Sequence, residues 1–179
     1  NAVKALIVAC IFMLFYIWFR FKDIRFAGSA IIALVHDVLV MLTGYALIRI
    51  SVGNTFIACI LTIVGYSIND TIVIFDRIRE HMQGMKKQTP ETLAELANRS
   101  LTQTLSRSLN TSITTIIMVL LLFILGVSSI REFALPLMIG LISGTYSSIF
   151  IAAALWYVMK LHLGKDKLLK PAVAKTKKK

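Results

Sequence analysis

Residues 65–80 read GYSINDTIVIFDRIRE, and this stretch decides the class of fold. Asp70 lies within an apolar run, and a dense group of charged residues begins at Asp76. At about 1.5 Å per helical residue, Asp70 lies on the order of 9 Å inside the boundary of that run. An ionisable side chain within a membrane helix is energetically costly and therefore a functional-site hypothesis by default. Asp70 is thus the first candidate for a proton-binding group.

The composition indicates a membrane protein. The chain has 179 residues, of which 57% are hydrophobic and 16% are charged. A soluble domain carries about 25% charged residues. The net charge of +11 lies between the apolar runs and at the C-terminal end. This distribution favours contact with anionic lipid headgroups over nucleic acid.

Five apolar runs are long enough to cross a bilayer, which takes about 20 helical residues. They predict a transmembrane domain, residues 1–160, with helices at about 2–19, 26–48, 55–75, 107–127 and 133–159. The sequence therefore predicts an all-α polytopic helical bundle.

Two cytoplasmic segments are predicted beside these helices. Thr89 and Pro90 suit an N-cap and a first helical position, and residues 90–105 carry an apolar stripe, which predicts an amphipathic surface helix. Residues 161–179 form a basic tail, with seven lysines from Lys165 onwards, that favours anionic lipids.

The basic residues predict the orientation. All but three of the 20 lysines and arginines fall at one set of helix ends or in the tail; the exceptions are Lys4, Arg49 and Arg131. Because basic residues accumulate on the cytoplasmic side, the C-terminus is predicted inside and Asn1 outside. That start, together with the absence of an initiator Met, predicts that an N-terminal part of the natural protein is missing.

A polar stripe on the fourth predicted span begins near the same membrane boundary, the cytoplasmic one, as Asp70. It contains Arg107, Asn110, Thr111 and Thr114. A buried carboxylate alone takes up a proton, and a nearby guanidinium favours its release. Asp70 and Arg107 at similar depth would therefore make a switchable proton site. A static ion pair, or an Arg107 that anchors its helix at the headgroups, remains the alternative. Supporting polar residues around Asp70 are Ser67, Asn69 and Thr71.

His36 and Asp37 lie near the middle of the second predicted span. Asp37 is a second candidate proton-relay carboxylate, and a hydrogen bond that fixes helix packing is the equal alternative. For His36 the packing interpretation is favoured. Cys10 and Cys59 have no metal-ligand or redox spacing, so no metal, cofactor or disulfide is predicted.

Small residues recur every four positions on the last predicted span, at Gly140, Gly144 and Ser148. Small residues let membrane helices approach closely, so this stripe is predicted to be a packing surface. Whether it faces this chain or another subunit stays open at this point.

Several segments resemble one family. The stretch at residues 65–80 closely resembles the signature of SecF, a protein-export membrane subunit. Residues 33–37 (ALVHD), 100–105 (SLTQTL) with Arg107, and 139–148 agree in the same order.

The resemblance implies half of a pseudo-symmetric bundle of the resistance-nodulation-division (RND) type. SecF-like proteins have six transmembrane helices and an extracytoplasmic domain after the first, and this chain lacks that helix and that domain. The resemblance further implies a non-enzymatic role at the Sec translocon of a bacterial or archaeal plasma membrane. Paired with SecD, separate or fused upstream, SecF is implied to use the proton-motive force in late protein export, with exported chains gripped by the missing domain. Asp70, Arg107 and Asp37 match the family's polar positions.

Two other functions compete with this interpretation. One is a proton-coupled RND-type exporter of lipids or small molecules. The other is an intramembrane aspartyl protease that uses Asp37 and Asp70 as its dyad. Such proteases usually carry a glycine beside the second acid, where this chain has Asn69 and Thr71.

Overall fold

The computed structural model describes residues 2–49, 53–85 and 89–163, without the side chains of residues 2, 3, 5, 6, 10, 14 and 54. Asn1, the Cys10 side chain and the tail from residue 164 therefore lie outside the described part. The described residues form helices α1 (Ala2–Phe21), α2 (Ile24–Ile48), α3 (Asn54–Gln83), α4 (Pro90–Leu125), α5 (Ser128–Tyr146) and α6 (Ala153–Leu163), with a π-helical segment (Ser147–Ala152) between the last two. The predicted all-α class is confirmed.

Within the described residues, four helical stretches are long and apolar enough to cross a membrane: Ile24–Ile48, Thr55–Gln83, Pro90–Leu125 and Ser128–Leu163. The apolar part of α1 in the described side chains, Ile7–Phe21, is shorter. A multi-pass membrane protein follows from these lengths, while the fifth span stays a prediction.

The helix ends follow from local sequence. Asp23 caps α2 by accepting a hydrogen bond from the Arg25 amide at 3.0 Å. Thr89 caps α4 in a capping box with Thr92, and Pro90 is its first residue, so the predicted helix start is confirmed. Arg49 ends α2 in a left-handed conformation with φ 58°.

In α4 the structure joins two predicted elements. The sequence predicts an amphipathic helix at residues 90–105 that leads into a fourth span at 107–127, and α4 is one helix over Pro90–Leu125. Leu93, Leu96 and Ala97 of the predicted apolar stripe are buried within the bundle, whereas Leu105 is exposed. The reason is that α3 continues beyond its apolar run to Gln83 and gives α4 a helix to pack against.

The last helical rod, formed by α5, the π segment and α6, is the centre of the fold. It contacts α2, α3 and α4, whereas α1 contacts α2 and α3 at the edge. An aromatic cluster closes one end of the bundle: Trp156 of α6 stacks on Phe26 of α2 at 5.2 Å, and Phe26 contacts Phe75 of α3 at 4.9 Å. This packing leaves the polar side chains of α2, α3 and α5 facing one another in the interior.

Candidate functional site

Asp37 is the most enclosed charged residue in the described part of the chain. Its side chain is 0% exposed and lies where α2 meets α3 and the last helical rod. Three serine hydroxyls donate hydrogen bonds to it: Ser143 to Oδ1 at 2.8 Å, and Ser67 and Ser147 to Oδ2 at 2.7 and 2.6 Å. One carboxylate thus joins three elements that are far apart in sequence.

The serines come from positions that the helix geometry turns inward. Ser67 lies on α3, Ser143 lies on α5 four residues before Ser147, and Ser147 begins the π segment. Gly144 leaves room for this contact: a β-carbon there would meet the Ser67 β-carbon at 3.2 Å and Asp37 Oδ2 at 3.7 Å. Close approach of α5 therefore brings its hydroxyls to the carboxylate.

His36, the residue that precedes Asp37 on α2, contacts the same carboxylate. Its Nδ1 lies 3.2 Å from Asp37 Oδ1, and its side chain is 36% exposed. The contact joins neighbours on α2, so it does not link two helices. His36 is the titratable group in direct contact with Asp37 among the described residues.

A second pair of hydroxyls lies next to this cluster. Thr71 Oγ1 of α3 and Ser148 Oγ of the π segment are 2.9 Å apart, and Ser148 donates to the Ser67 carbonyl at 3.1 Å. Both side chains are buried. Hydroxyls therefore continue along α3 from Ser67 to the turn that carries Asp70.

Asp70 is buried but much less satisfied than Asp37. It is 4% exposed, and its Oδ2 has no hydrogen-bond partner among the described residues; the hydroxyl of Ser108 nearby has none either. Ser108 of α4 is its hydroxyl neighbour, and Arg107 precedes Ser108 on the exposed side of that helix. Ser67 and Asp70 are one helical turn apart on similar faces, so both carboxylates adjoin the same stretch of α3.

Arg107 lies on the outside of the bundle. It is exposed, and no ion pair joins it to Asp70 in the part of the chain that the structure describes. Asn110 of the same stripe is exposed too, and Thr111 donates to the Arg107 carbonyl at 3.0 Å. The structure therefore brings Asp37, Ser67, Thr71 and Ser148 together but leaves Arg107, Asn110 and the exposed Asn69 outside the cluster.

A separate polar contact joins α3, α4 and α5. Tyr66 donates to Ser112 Oγ at 2.8 Å, and Ser112 Oγ lies 2.7 Å from Thr145 Oγ1. Sequence reasoning missed this contact and the role of Ser143 and Ser147. The four-residue spacing of Ser143 and Ser147, opposite a buried acid, was the available signal.

The glycine stripe faces this same chain. Gly140 lies against Ile63 of α3, and Gly144 lies against Ser67 one turn along. The position of these glycines answers the question that the sequence left open, since both meet α3.

The hydroxyl cluster can hold Asp37 in either protonation state. Hydroxyls donate to a carboxylate and accept from a carboxylic acid, so rotation of an O–H bond can satisfy both forms of Asp37. No group of three or more His, Cys, Asp or Glu side chains lies together in the described residues. No hydrogen bond joins Asp37 to Asp70 within that part of the chain either.

The fold and the site define a polytopic helical membrane protein with buried carboxylates at its helix contacts. The chain belongs to the family of SecD/SecF protein export membrane proteins, because residues 1–162 match the C-terminal domain of that family. The resemblance to SecF is thereby confirmed.

Known relatives agree with this assignment. The chain is 50% identical over 156 residues to the protein translocase subunit SecF of Alicyclobacillus acidocaldarius, covering 87% of this chain and 50% of the relative. It is 46% identical over 160 residues to the protein translocase subunit SecDF of Bacillus subtilis, and the match covers 89% of this chain and 22% of that relative. The crystal structure of SecDF from Thermus thermophilus matches with a TM-score of 0.83 at 45% identity, covering 89% and 22%. The chain thus spans about half of the SecF relative and about a fifth of the fused proteins.

Proposed function

We propose that this chain is the membrane part of an accessory protein-translocation subunit that uses proton binding at Asp70 and Asp37 to move its helices. The observation that carries the proposal is the pair of buried carboxylates on either side of Ser67, within a chain of the SecD/SecF family. Each elementary charge that crosses 100 mV supplies about 2.3 kcal/mol, enough to bias a two-state rearrangement of helices.

Asp70 and Asp37 have different parts in this proposal. Asp70 is buried with an oxygen that lacks a partner in the described residues, so it gains from protonation or from an approaching cation. Asp37 already has three hydroxyl donors from α3 and the last rod, so its proton uptake reverses or breaks one of these hydrogen bonds between helices. Asp70 is thus the group that exchanges the proton, and Asp37 couples it to packing.

The exposed polar stripe of α4 supports a partner in the membrane. Arg107 and Asn110 are exposed on a helix long enough to span the bilayer. Polar groups in hydrocarbon need a protein or a water-filled cavity, so a second helical bundle is the fitting neighbour. Since relatives include fused SecDF proteins, we place a SecD-type bundle there, in contact with Arg107.

The remaining parts of the proposal follow from charge and from the relatives. The end bearing Arg20, Arg77 and Arg79 lies in the cytoplasm, with Asn1 on the outer side of a bacterial or archaeal plasma membrane. The lysine tail contacts anionic lipids. The Sec channel and exported polypeptides are the further partners of the whole protein.

The test is export in cells whose full-length protein carries Asp70→Asn. Late-stage export should lose its stimulation by the proton gradient, while membrane insertion stays normal. Asp76→Asn is the matched control, because it removes an acid from the same helix at an exposed ion pair with Arg20. Normal gradient-stimulated export in Asp70→Asn refutes the proposal.

An efflux assay separates the rival transporter function. The reconstituted complex with its SecD-type partner should not move lipids or small dyes when a proton gradient is applied. Efflux that Asp70→Asn abolishes favours an RND-type exporter instead.

A further inference from the structure

The π segment Ser147–Ala152 sets the rotational phase of the last helical rod. At about 100° per residue, an unbroken α-helix would place Trp156 about 220° from Ser143 and Ala154 only about 20° from it. In the structure Ser143 and Trp156 are both buried, whereas Ala154 is exposed. One turn of i→i+5 geometry holds one extra residue, which turns the following helix back by about 100°. The wide turn therefore lets both halves of the rod face the interior.

The contacts that hold the wide turn are those of the carboxylate cluster. Ser147, its first residue, donates to Asp37 Oδ2, and Ser148 contacts Thr71. π-Helical turns are uncommon in proteins, and those that occur are often found at functional sites. In this chain its two buried hydroxyls fasten it to α2 and α3.

Ser147 is the donor most easily released when Asp37 is protonated. An ionised carboxylate only accepts, whereas the acid must donate one O–H, so one of the three serine contacts has to reverse or break. Ser147 Oγ also lies 3.2 Å from the Gly144 carbonyl, an alternative acceptor within its own helix. Release of Ser147 therefore leaves no unsatisfied hydroxyl.

The side chains around Asp37 are mainly serine hydroxyls, with few charged groups. On its own helix His36 contacts it; on α3 the nearest acid is Asp70, one turn beyond Ser67. The last rod carries Tyr146, whose ring lies 6.5 Å from that of His36, and the hydrogen bonds of the rod to Asp37 in the described residues are those of Ser143 and Ser147. The rod thus presents hydroxyls to Asp37 rather than charges.

We propose that the π segment converts protonation of Asp37 into a rotation of α6: loss of the Ser147 contact lets the wide turn relax to an α-helix. This inference rests on the proposed function, since it takes Asp37 as a group that gains and loses a proton. After relaxation, each residue of α6 takes the angular position of the residue that follows it. Ala153 then takes the exposed position of Ala154, and Ala152 takes the buried position of Ala153.

Rotation of α6 reaches the other helices at one end of the bundle. Trp156 stacks on Phe26, near the start of α2, and the Tyr157 hydroxyl donates to the Pro90 carbonyl at the start of α4 at 3.3 Å. The Trp156 indole N–H has no acceptor in the described residues, so this packing is incompletely satisfied. A change at Asp37 is thereby transmitted to the ends of two further helices.

Cysteine labelling of the full-length protein in its complex tests the rotation. Cys10 and Cys59 are replaced by Ala, single cysteines are placed at Ala152, Ala153 or Ala154, and a maleimide reports their accessibility in detergent. With Asp37 intact, Ala154→Cys labels fastest. With Asp37→Asn, a neutral side chain like the protonated acid, Ala153→Cys should approach that rate while Ala152→Cys stays protected. An unchanged pattern overturns the inference.

Deletion of one residue provides a second test. Phe150 is the exposed residue of the π segment, at 60%, and its removal lets a regular α-helix keep both halves in phase. The deletion variant should insert and fold, yet its labelling pattern should no longer respond to Asp37→Asn, and its gradient-stimulated export should be lost. Full export by this variant contradicts the rotation. Normal export by Asp37→Asn instead contradicts the role of Asp37 in the proposed function, so the two failures are distinguishable.

Discussion

Gly140 of α5 lies against Ile63 of α3 so closely that a β-carbon at position 140 would overlap the Ile63 side chain. Ile63 is fully buried, so its side chain has little freedom to withdraw. We therefore expect Gly140→Ala to lower the free energy of unfolding by about 1–3 kcal/mol, the usual cost of overpacking. Thermal unfolding of the detergent-solubilised protein measures the change.

Two variants make this prediction specific. Gly65 lies on α3, and a β-carbon added there would meet no neighbouring atom within 4 Å, so Gly65→Ala should be neutral or slightly stabilising. Ile63→Ala should destabilise alone but restore part of the stability when combined with Gly140→Ala. Additive effects in the double variant would contradict direct contact between the two side chains.

Asp37 and Asp70 should differ in their importance for stability. Asp37→Ala leaves Ser67 and Ser143 without their acceptor, and each buried unsatisfied group costs about 1–3 kcal/mol, whereas Ser147 keeps the Gly144 carbonyl. Asp70→Asn removes no hydrogen bond from Oδ2, so it should change the free energy of unfolding by less than about 1 kcal/mol. Equal losses in melting temperature for the two variants would show that the serine cluster does not stabilise the bundle.

The ion pair between Arg20 and Asp76 should contribute little. Their closest atoms are 2.9 Å apart, and both side chains are about 40% exposed. Exposed pairs are typically worth about 0.2–1 kcal/mol, and salt weakens them. A double-mutant cycle with Arg20→Gln and Asp76→Asn should give a coupling energy in that range at low salt. A larger coupling energy that persists at about 1 M salt, where screening acts within about 3 Å, would contradict this expectation.

The capping box at Thr89 should stabilise the start of α4. Thr89→Ala removes the acceptor of the Thr92 amide, at 3.3 Å, and should cost about 1 kcal/mol. Thr89→Ser keeps the hydroxyl and is the matched control. Hydrogen exchange at the first turn of α4 should quicken in the Ala variant alone; equal exchange in both variants would count against the cap.

The sequence by itself predicted the helical class, because apolar runs of this length have few alternatives in lipid. It also predicted the start of α4, since Thr89 and Pro90 act through local hydrogen bonds and a fixed backbone angle. It singled out Asp70 and Asp37, because an acid in an apolar run is conspicuous without any structure. These features depend on residues close together in the chain.

The tertiary structure alone decided which polar groups meet. Ser143 and Ser147 reach Asp37 across more than a hundred residues of chain, and only the close approach of α5 to α3 at its glycines brings them there. Arg107 shares a predicted depth with Asp70, yet its rotation on α4 turns it outward. The π segment leaves no periodic signal of its own in the sequence. It arises because the buried faces of α5 and α6 must both point to the interior of the bundle. Helix rotation and crossing depend on packing between distant segments, which hydrophobic periodicity in one segment does not encode.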